Sequence, residues 1–346
     1  MKKKGFTLVE LLVVIAIIAL LMGILMPALA RVRMIANRMV CGSNLAGIGK
    51  GLLLYAGDAQ EAYPMPGCST GLVSYATVGH IDLTNWDGQT NVCTSIFSGG
   101  AANTGGRATI GSLLYMLIRL EDVSAKQFNC KGDSGAEVFK LTTYTSTTQT
   151  DMTKCYDFGT VPGKHNSYAY QFPFAKTQDS TTAAGTPVST NSKPSCPLAA
   201  DRNPGMDKNA ATYILSGAPT AGGSLPSGTT ADLPGADTVW TNNNNEYKDK
   251  DLVYNAYPHQ REGQNVLYND GHTKFETTAN VGVNNDNIYQ AWPTRVAPPG
   301  TAAVPTKQQR EAGGLFPRGG QTGTVTYADL VPADIDDALL VNEVKP

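Results

Sequence analysis

Three residues near the C-terminus, His259, Asp270 and His272, are of the types that hold a metal or move a proton. Two imidazoles and a carboxylate suit a transition-metal site or an acid–base pair. The same residues also suit a structural role, with Asp270 bonding its own turn backbone and His259 pinning the preceding loop. That structural role is the one expected here. His80 and His165 are the other histidines, and no H-E-x-x-H, G-x-S-x-G or Walker pattern occurs. Catalytic residues are therefore not assigned. Oxygen ligands for a hard cation occur as Asp201 with Asn203, Asp249 with Asp251, and Asn284-Asn285-Asp286-Asn287. None has EF-hand spacing, so solvated turns are expected, and calcium is the one cofactor left open.

Six cysteines, Cys41, Cys68, Cys93, Cys130, Cys155 and Cys196, include no C-x-x-C pair. A zinc-ribbon reading is weak, and an even number in an exported domain points to disulfides whose pairing the sequence leaves open. A bridge from Cys41 would staple a helix to the rest of the chain.

One further ionisable residue is out of place. Residues 11–30 carry no charge, and Glu10 stands at the edge of that run after Lys2-Lys3-Lys4-Gly5. As a helix the run is about 30 Å long, enough to cross a bilayer. An ionised Glu10 at its edge costs roughly 2–3 kcal/mol without a partner.

The elements that must position these groups follow from pattern. Pro27 removes an i→i−4 bond, so the helix is expected to kink or open before it. Arg31, Arg33 and Arg38 form a basic collar. Met34, Cys41, Leu45, Ile48, Leu52 and Tyr55 then share one helical face, with Asn37, Arg38, Ser43, Asn44 and Lys50 opposite. Gly42, Gly47, Gly49 and Gly51 each cost about 1 kcal/mol against alanine, so packing must hold this half as far as Gly57-Asp58. A short helix is predicted over 110–120, a strand start at Phe128-Asn129-Cys130 and a strand over 167–172. Exposed Thr/Ser/Gly/Ala-rich insertions are predicted at 141–150, 177–193 and 216–237. Asn265 to Tyr268 and Thr273 to Glu276 flank Asp270-Gly271, which predicts a hairpin with a type I′ turn. With 36 Gly, 20 Pro and 16% charged residues, the chain after the helix reads as a loop-rich, strand-rich head. A net charge of −2 gives no general attraction to nucleic acid.

Lys2-Lys3-Lys4-Gly5 followed by Phe6-Thr7-Leu8-Val9-Glu10-Leu11-Leu12 resembles the class III signal of type IV pilins and type II secretion pseudopilins. The resemblance implies cleavage after Gly5 by a prepilin peptidase and N-methylation of Phe6. It also implies pairing of the new Phe6 ammonium with Glu10 of a neighbouring subunit. In such filaments the segment before the proline, here 19–27, is extended, which gives Pro27 a part in assembly. A second stretch, His259 with Gly263-Gln264-Asn265-Val266-Leu267-Tyr268 and Asp270-Gly271-His272, is similar to the H-x9-DG motif of planctomycete-type proteins with pilin leaders, with ten intervening residues in place of nine. The segments Cys41 to Gly49, Phe128-Asn129-Cys130 and Ala200-Asp201-Arg202-Asn203-Pro204 also resemble that group.

The resemblance implies an α+β protein: a long N-terminal helix packed on an antiparallel sheet head with loop insertions. Its expected divisions are a leader at 1–5, a transmembrane and filament-core helix at 6–30, an amphipathic continuation at 31–57 and a head at 58–346. The expected function is a non-enzymatic subunit of a type IV pilus-like or type II secretion pseudopilus filament. Its partners would be other copies of itself, the prepilin peptidase, an inner-membrane assembly platform and membrane lipid, with no nucleic acid. It would start in the inner membrane and end in a periplasmic or extracellular filament. The alternatives are an anchored envelope protein that does not polymerise and a tethered metal-dependent hydrolase built on His259, Asp270 and His272.

Overall fold

A computed structural model describes residues 8–65, 86–87, 110–144, 147–171, 188–202, 255–289, 338 and 340–341. One helix, α1 (Leu8–Asp58), runs through 51 residues and lies in two environments. Its first half is apolar and uncovered, with Leu12 56%, Ile18 45% and Leu25 63% exposed. In its second half Cys41, Leu45, Ile48, Leu52 and Ala56 are buried against the head. Among the apolar face expected from the sequence, Met34 and Tyr55 are half-buried at the margins. Residues 19–27 are helical, and α1 continues through Pro27. The ring of a proline crowds the carbonyl four residues earlier, here that of Gly23, where no side chain adds to the crowding.

The head is built on a five-stranded antiparallel sheet. Its strands are β1 (Tyr168–Gln171), β2 (Pro197–Asp201), β3 (Gln264–Tyr268), β4 (Thr273–Glu276) and β5 (Leu340–Val341), in the order β4-β3-β2-β1-β5. The fold is thus α+β, a long helix against an antiparallel sheet, as the sequence leads one to expect. β1, β2 and β3 are buried at every position because both faces of the sheet are covered. Tyr168, Tyr170, Leu198 and Leu267 pack with α1 and with α2 (Ile110–Leu120), whose Leu114 and Leu117 close the same core. Ala169, Ala200, Val266 and Leu340 pack on the other face with Ala256, Ile288 and Tyr289. Small residues on that face let the 255–289 segment approach closely.

The glycines of α1 answer the cost noted above. A Cβ at Gly51 would stand 2.6 Å from Val123 Cγ2, and one at Gly47 2.6 Å from Gln127 Oε1. At these glycines the helix backbone meets the core directly, between the buried side chains of Leu45, Ile48 and Leu52.

Several expectations need correction. Arg38 and Asn44 do not face solvent. Asn44 Nδ2 donates to Asn129 O at 3.2 Å and to Tyr168 Oη at 3.3 Å, and Arg38 pairs with Glu262 and stacks on Phe275. The head reaches these two residues of the expected polar stripe, while Ser43 and Lys50 stay exposed. Phe128-Asn129-Cys130 starts no strand: Ser124 caps a 3-10 turn, Ala125–Phe128, and the chain leaves it as a loop. Within 141–150 the chain is not simply exposed, because Tyr144 packs against Trp86, Phe139 and His165. Within 177–193, Val188 and Ser192 are buried, and Ser189 bridges to Ala62. Residues 216–237 lie outside the described residues. The hairpin is present, but its turn is not type I′. Gly271 has φ +84° and Asp270 does not take positive φ, while Tyr268 and His272 close the loop through Gly271 N–H to Tyr268 O at 2.9 Å and Tyr268 N–H to His272 O at 3.0 Å. That is a three-residue loop with glycine in the left-handed position, the next commonest hairpin connection.

Candidate functional site

Two places carry the residues singled out above. The first is the start of α1. Glu10 lies in its first turn, where the helix dipole favours an anion, on the uncovered apolar half. Gly5 and Phe6 lie outside the described residues, and so does any contact between Phe6 and Glu10. Arg31 and Arg33 are exposed beyond the apolar run.

The second place is where α1 meets the head. A disulfide joins Cys41 of α1 to Cys130, 89 residues on. Cys155 is a buried thiol, pushed up to about 11 by burial, so it is unreactive as a nucleophile. Cys196 is buried as well, and Cys68 and Cys93 lie outside the described residues.

His259 points into the same joint. It ends the 3-10 turn Tyr257–His259, and the chain then turns through Gln260 and Arg261, both with positive φ. Two left-handed residues in succession take up the longer loop that the sequence shows before the hairpin. Gly263 completes it, because a Cβ there would stand 2.2 Å from Glu276 O. His259 Nε2 lies 3.0 Å from Asp201 Oδ2 and 3.9 Å from Cys130 Sγ. Asp201 ends β2, and its Oδ2 also accepts from Asn265 N–H at 2.6 Å and Asn265 Nδ2 at 3.1 Å. Its backbone carbonyl accepts from Tyr289 Oη at 2.7 Å. Burial first, then the Asp201 charge, pushes the Tyr168 and Tyr289 phenols up, so both remain neutral donors.

Asp270 and His272 are elsewhere. They sit in the exposed turn beyond β3, at the other end of the hairpin from His259. Asp270 accepts from His272 N–H at 3.1 Å and pairs with the His272 ring, which stacks on Tyr268. The His272 backbone N–H is the first cause holding the Asp270 carboxyl below the usual range. The structure thus separates His259 from Asp270 and His272, and the three do not share one ion. Asp286, buried, accepts from Ala338 N–H at 2.7 Å through Oδ2. Asn203 lies outside the described residues. Among the described residues one group of three or more cysteine, histidine and carboxylate ligands gathers closely, and it is Cys41, Cys130, Asp201 and His259.

The sequence offered each of these four residues but not their meeting. Cys41, Cys130 and Asp201 stood in separate motifs, and the partner of His259 lies 58 residues before it. Only strand order brings β2 beside β3 and closes that gap. No curated protein and no solved structure matches the chain. Residues 1–26 match the family model of the prokaryotic N-terminal methylation motif, which supports a type IV pilin-like leader, and α1 is by length and composition apolar enough to cross a membrane.

Proposed function

We propose that the chain is the subunit of a type IV pilus-like or type II secretion pseudopilus filament, cleaved after Gly5 and N-methylated at Phe6. The observation that carries this is the division of α1 into an uncovered apolar half and a half buried in its own head. Lipid covers the first half before assembly, and the same halves of neighbouring copies cover it afterwards. Cleavage leaves Phe6 as an ammonium at the edge of the apolar layer. Glu10 of the next subunit neutralises it, and the pair sets the axial register while offsetting two desolvation costs. Pro27 marks where α1 gives way if 19–27 extends during packing.

The role is structural. It calls for a prepilin peptidase, an inner-membrane platform and further copies of the chain, with a periplasmic or extracellular filament as the product. Assembly on these terms uses no bound cofactor. An anchor that never polymerises would need no carboxylate at position 10. The test is Glu10→Ala in cells, with Glu10→Asp beside it. Glu10→Ala is expected to insert and be cleaved normally but to yield no filaments on electron microscopy of sheared surface material. Normal filaments from Glu10→Ala would remove the register role. Absence of filaments from the unaltered chain, with normal cleavage, would favour the anchored envelope protein.

A further inference from the structure

The geometry points to a zinc site in the reduced form of the chain, with Cys41, Cys130, Asp201 and His259 as its four ligands. Their donor atoms, two sulfurs, one imidazole nitrogen and one carboxylate oxygen, all lie within 4.8 Å of one another. These are the atom types zinc takes. A tetrahedral ion with bonds of about 2.0–2.3 Å sets its ligands roughly 3.3–3.8 Å apart. The 3.0 Å from His259 Nε2 to Asp201 Oδ2 and the 3.9 Å from Nε2 to Cys130 Sγ bracket that range.

Burial and support are those of a closed structural site. All four residues are buried, at 0% for Cys41 and Asp201, 1% for Cys130 and 3% for His259. They come from four segments: α1, the loop after the Ser124-capped turn, the end of β2 and the loop before β3. The ligands are themselves held. Asn265 fixes the Asp201 carboxylate through two donors, and the Phe275 ring stands edge-on to His259 at 5.9 Å. Gly132 lets Pro258 O approach so closely that a Cβ would stand 2.3 Å from it, which brings the His259 loop against Cys130. Such support raises metal affinity by fixing ring and carboxylate orientation. Asp201 Oδ1 is buried with no hydrogen-bond partner. A carboxylate left half-satisfied in a core is costly, and an adjacent dication removes that cost.

The disulfide uses both sulfurs and leaves two ligands, too few to hold zinc. The two states exclude each other. In the reduced state both thiols give up their protons on binding, as zinc ligation requires. An incoming disulfide R–S–S–R then takes two electrons from the two thiolates. The Cys41–Cys130 bond forms, the R–S–S–R bond breaks, and two R–S⁻ and one Zn²⁺ leave. The same joint between α1 and the head is therefore closed by zinc before oxidation and by the disulfide after it.

The test uses the full chain in detergent, reduced with a phosphine and stripped with a chelator, then titrated with Co²⁺ and Zn²⁺. One Co²⁺ per chain is expected, with thiolate-to-cobalt absorption in the near ultraviolet and tetrahedral bands in the visible, displaced by one equivalent of Zn²⁺. Oxidised glutathione should release the Zn²⁺ stoichiometrically as the disulfide forms. Cys130→Ser should lose at least half of the charge-transfer intensity, the Cys41→Ser, Cys130→Ser double variant all of it, and His259→Ala and Asp201→Ala should each weaken binding at least tenfold. No cobalt spectrum from the reduced unaltered chain overturns the proposal, whatever the variants do. An unchanged spectrum in the Cys41→Ser, Cys130→Ser double variant also overturns it, because other thiols then hold the metal. Filament formation plays no part in either readout.

Discussion

Gly49 of α1 faces Leu267 of β3 so closely that a Cβ on the glycine would stand 2.7 Å from Leu267 Cδ1. Leu267 is wholly buried. Gly49→Val should therefore destabilise the head by about 1–3 kcal/mol through overpacking. Gly57, with nothing within 4 Å of its would-be Cβ, is the control. Gly57→Ala should leave stability unchanged or raise it by up to about 1 kcal/mol. Thermal unfolding of the detergent-solubilised chain separates the two, and equal effects from both would show that the helix is not seated on β3.

The Cys41–Cys130 bridge closes 89 residues of chain between α1 and the head. Cross-linking over that separation restricts the unfolded ensemble, with a stabilisation of about 2–5 kcal/mol. The Cys41→Ser, Cys130→Ser double variant should lose that amount in oxidising buffer, measured by urea unfolding. A reducing agent should bring the unaltered, metal-stripped chain to nearly the same midpoint, and should not move the variant.

Much of this architecture was readable from residue pattern. α1 ends at Asp58, α2 runs Ile110–Leu120 and β3–β4 form the hairpin around Asp270-Gly271, all at the positions that local periodicity and turn chemistry set. Each is a local signal, carried by neighbours three, four or two residues apart. What pattern did not reveal is long-range. Asn44 looks like a solvent-facing polar residue until the 129 carbonyl and Tyr168 are brought to it. Phe128-Asn129-Cys130 looks like a strand start, but Ser124 caps a turn there and Cys130 is drawn to α1 instead. His259 was visible as a candidate, yet Asp201 is its neighbour and Asp270 is not, because β2 pairs with β3 in the sheet.

Arg202 supplies a third prediction. It is 1% exposed and lies just past β2. Nη2 donates to Gly163 O at 2.7 Å and to Asn166 O, and Nε lies 3.3 Å from buried Asp133 Oδ2. Removing the guanidinium takes a charge partner from the buried Asp133 carboxylate and a donor from two backbone carbonyls. Arg202→Met should cost about 3–5 kcal/mol. Arg202→Lys keeps the charge but not the planar fork, and losing even one charged hydrogen bond costs roughly 1.5–3 kcal/mol. If chemical denaturation shows Arg202→Lys to be neutral, the fork is not what holds this loop.

His165 makes the head sensitive to acid. It is buried, its Nδ1–H donates to Glu137 O at 2.8 Å, and its Nε2 accepts from Tyr144 Oη at 2.6 Å. The Tyr144 hydroxyl, pushed up to about 12 by burial, stays a donor across the physiological range. A proton on Nε2 would make the Tyr144 hydroxyl turn to accept it and donate to Phe158 O, 3.4 Å away, in place of the imidazole. Burial is the first cause lowering the His165 pKa below its ordinary 6.5, and the bond to the Glu137 carbonyl opposes it only in part. The unfolded chain therefore takes up the proton before the folded chain does. The stability this histidine contributes is complete above about pH 6.5 and is lost as pH falls below it. His165→Gln, which keeps a donor and an acceptor but does not titrate, should flatten the melting temperature between about pH 7.5 and 5 relative to the unaltered chain. Parallel curves for the two proteins over that interval would mean that the imidazole is not the group sensing the acid.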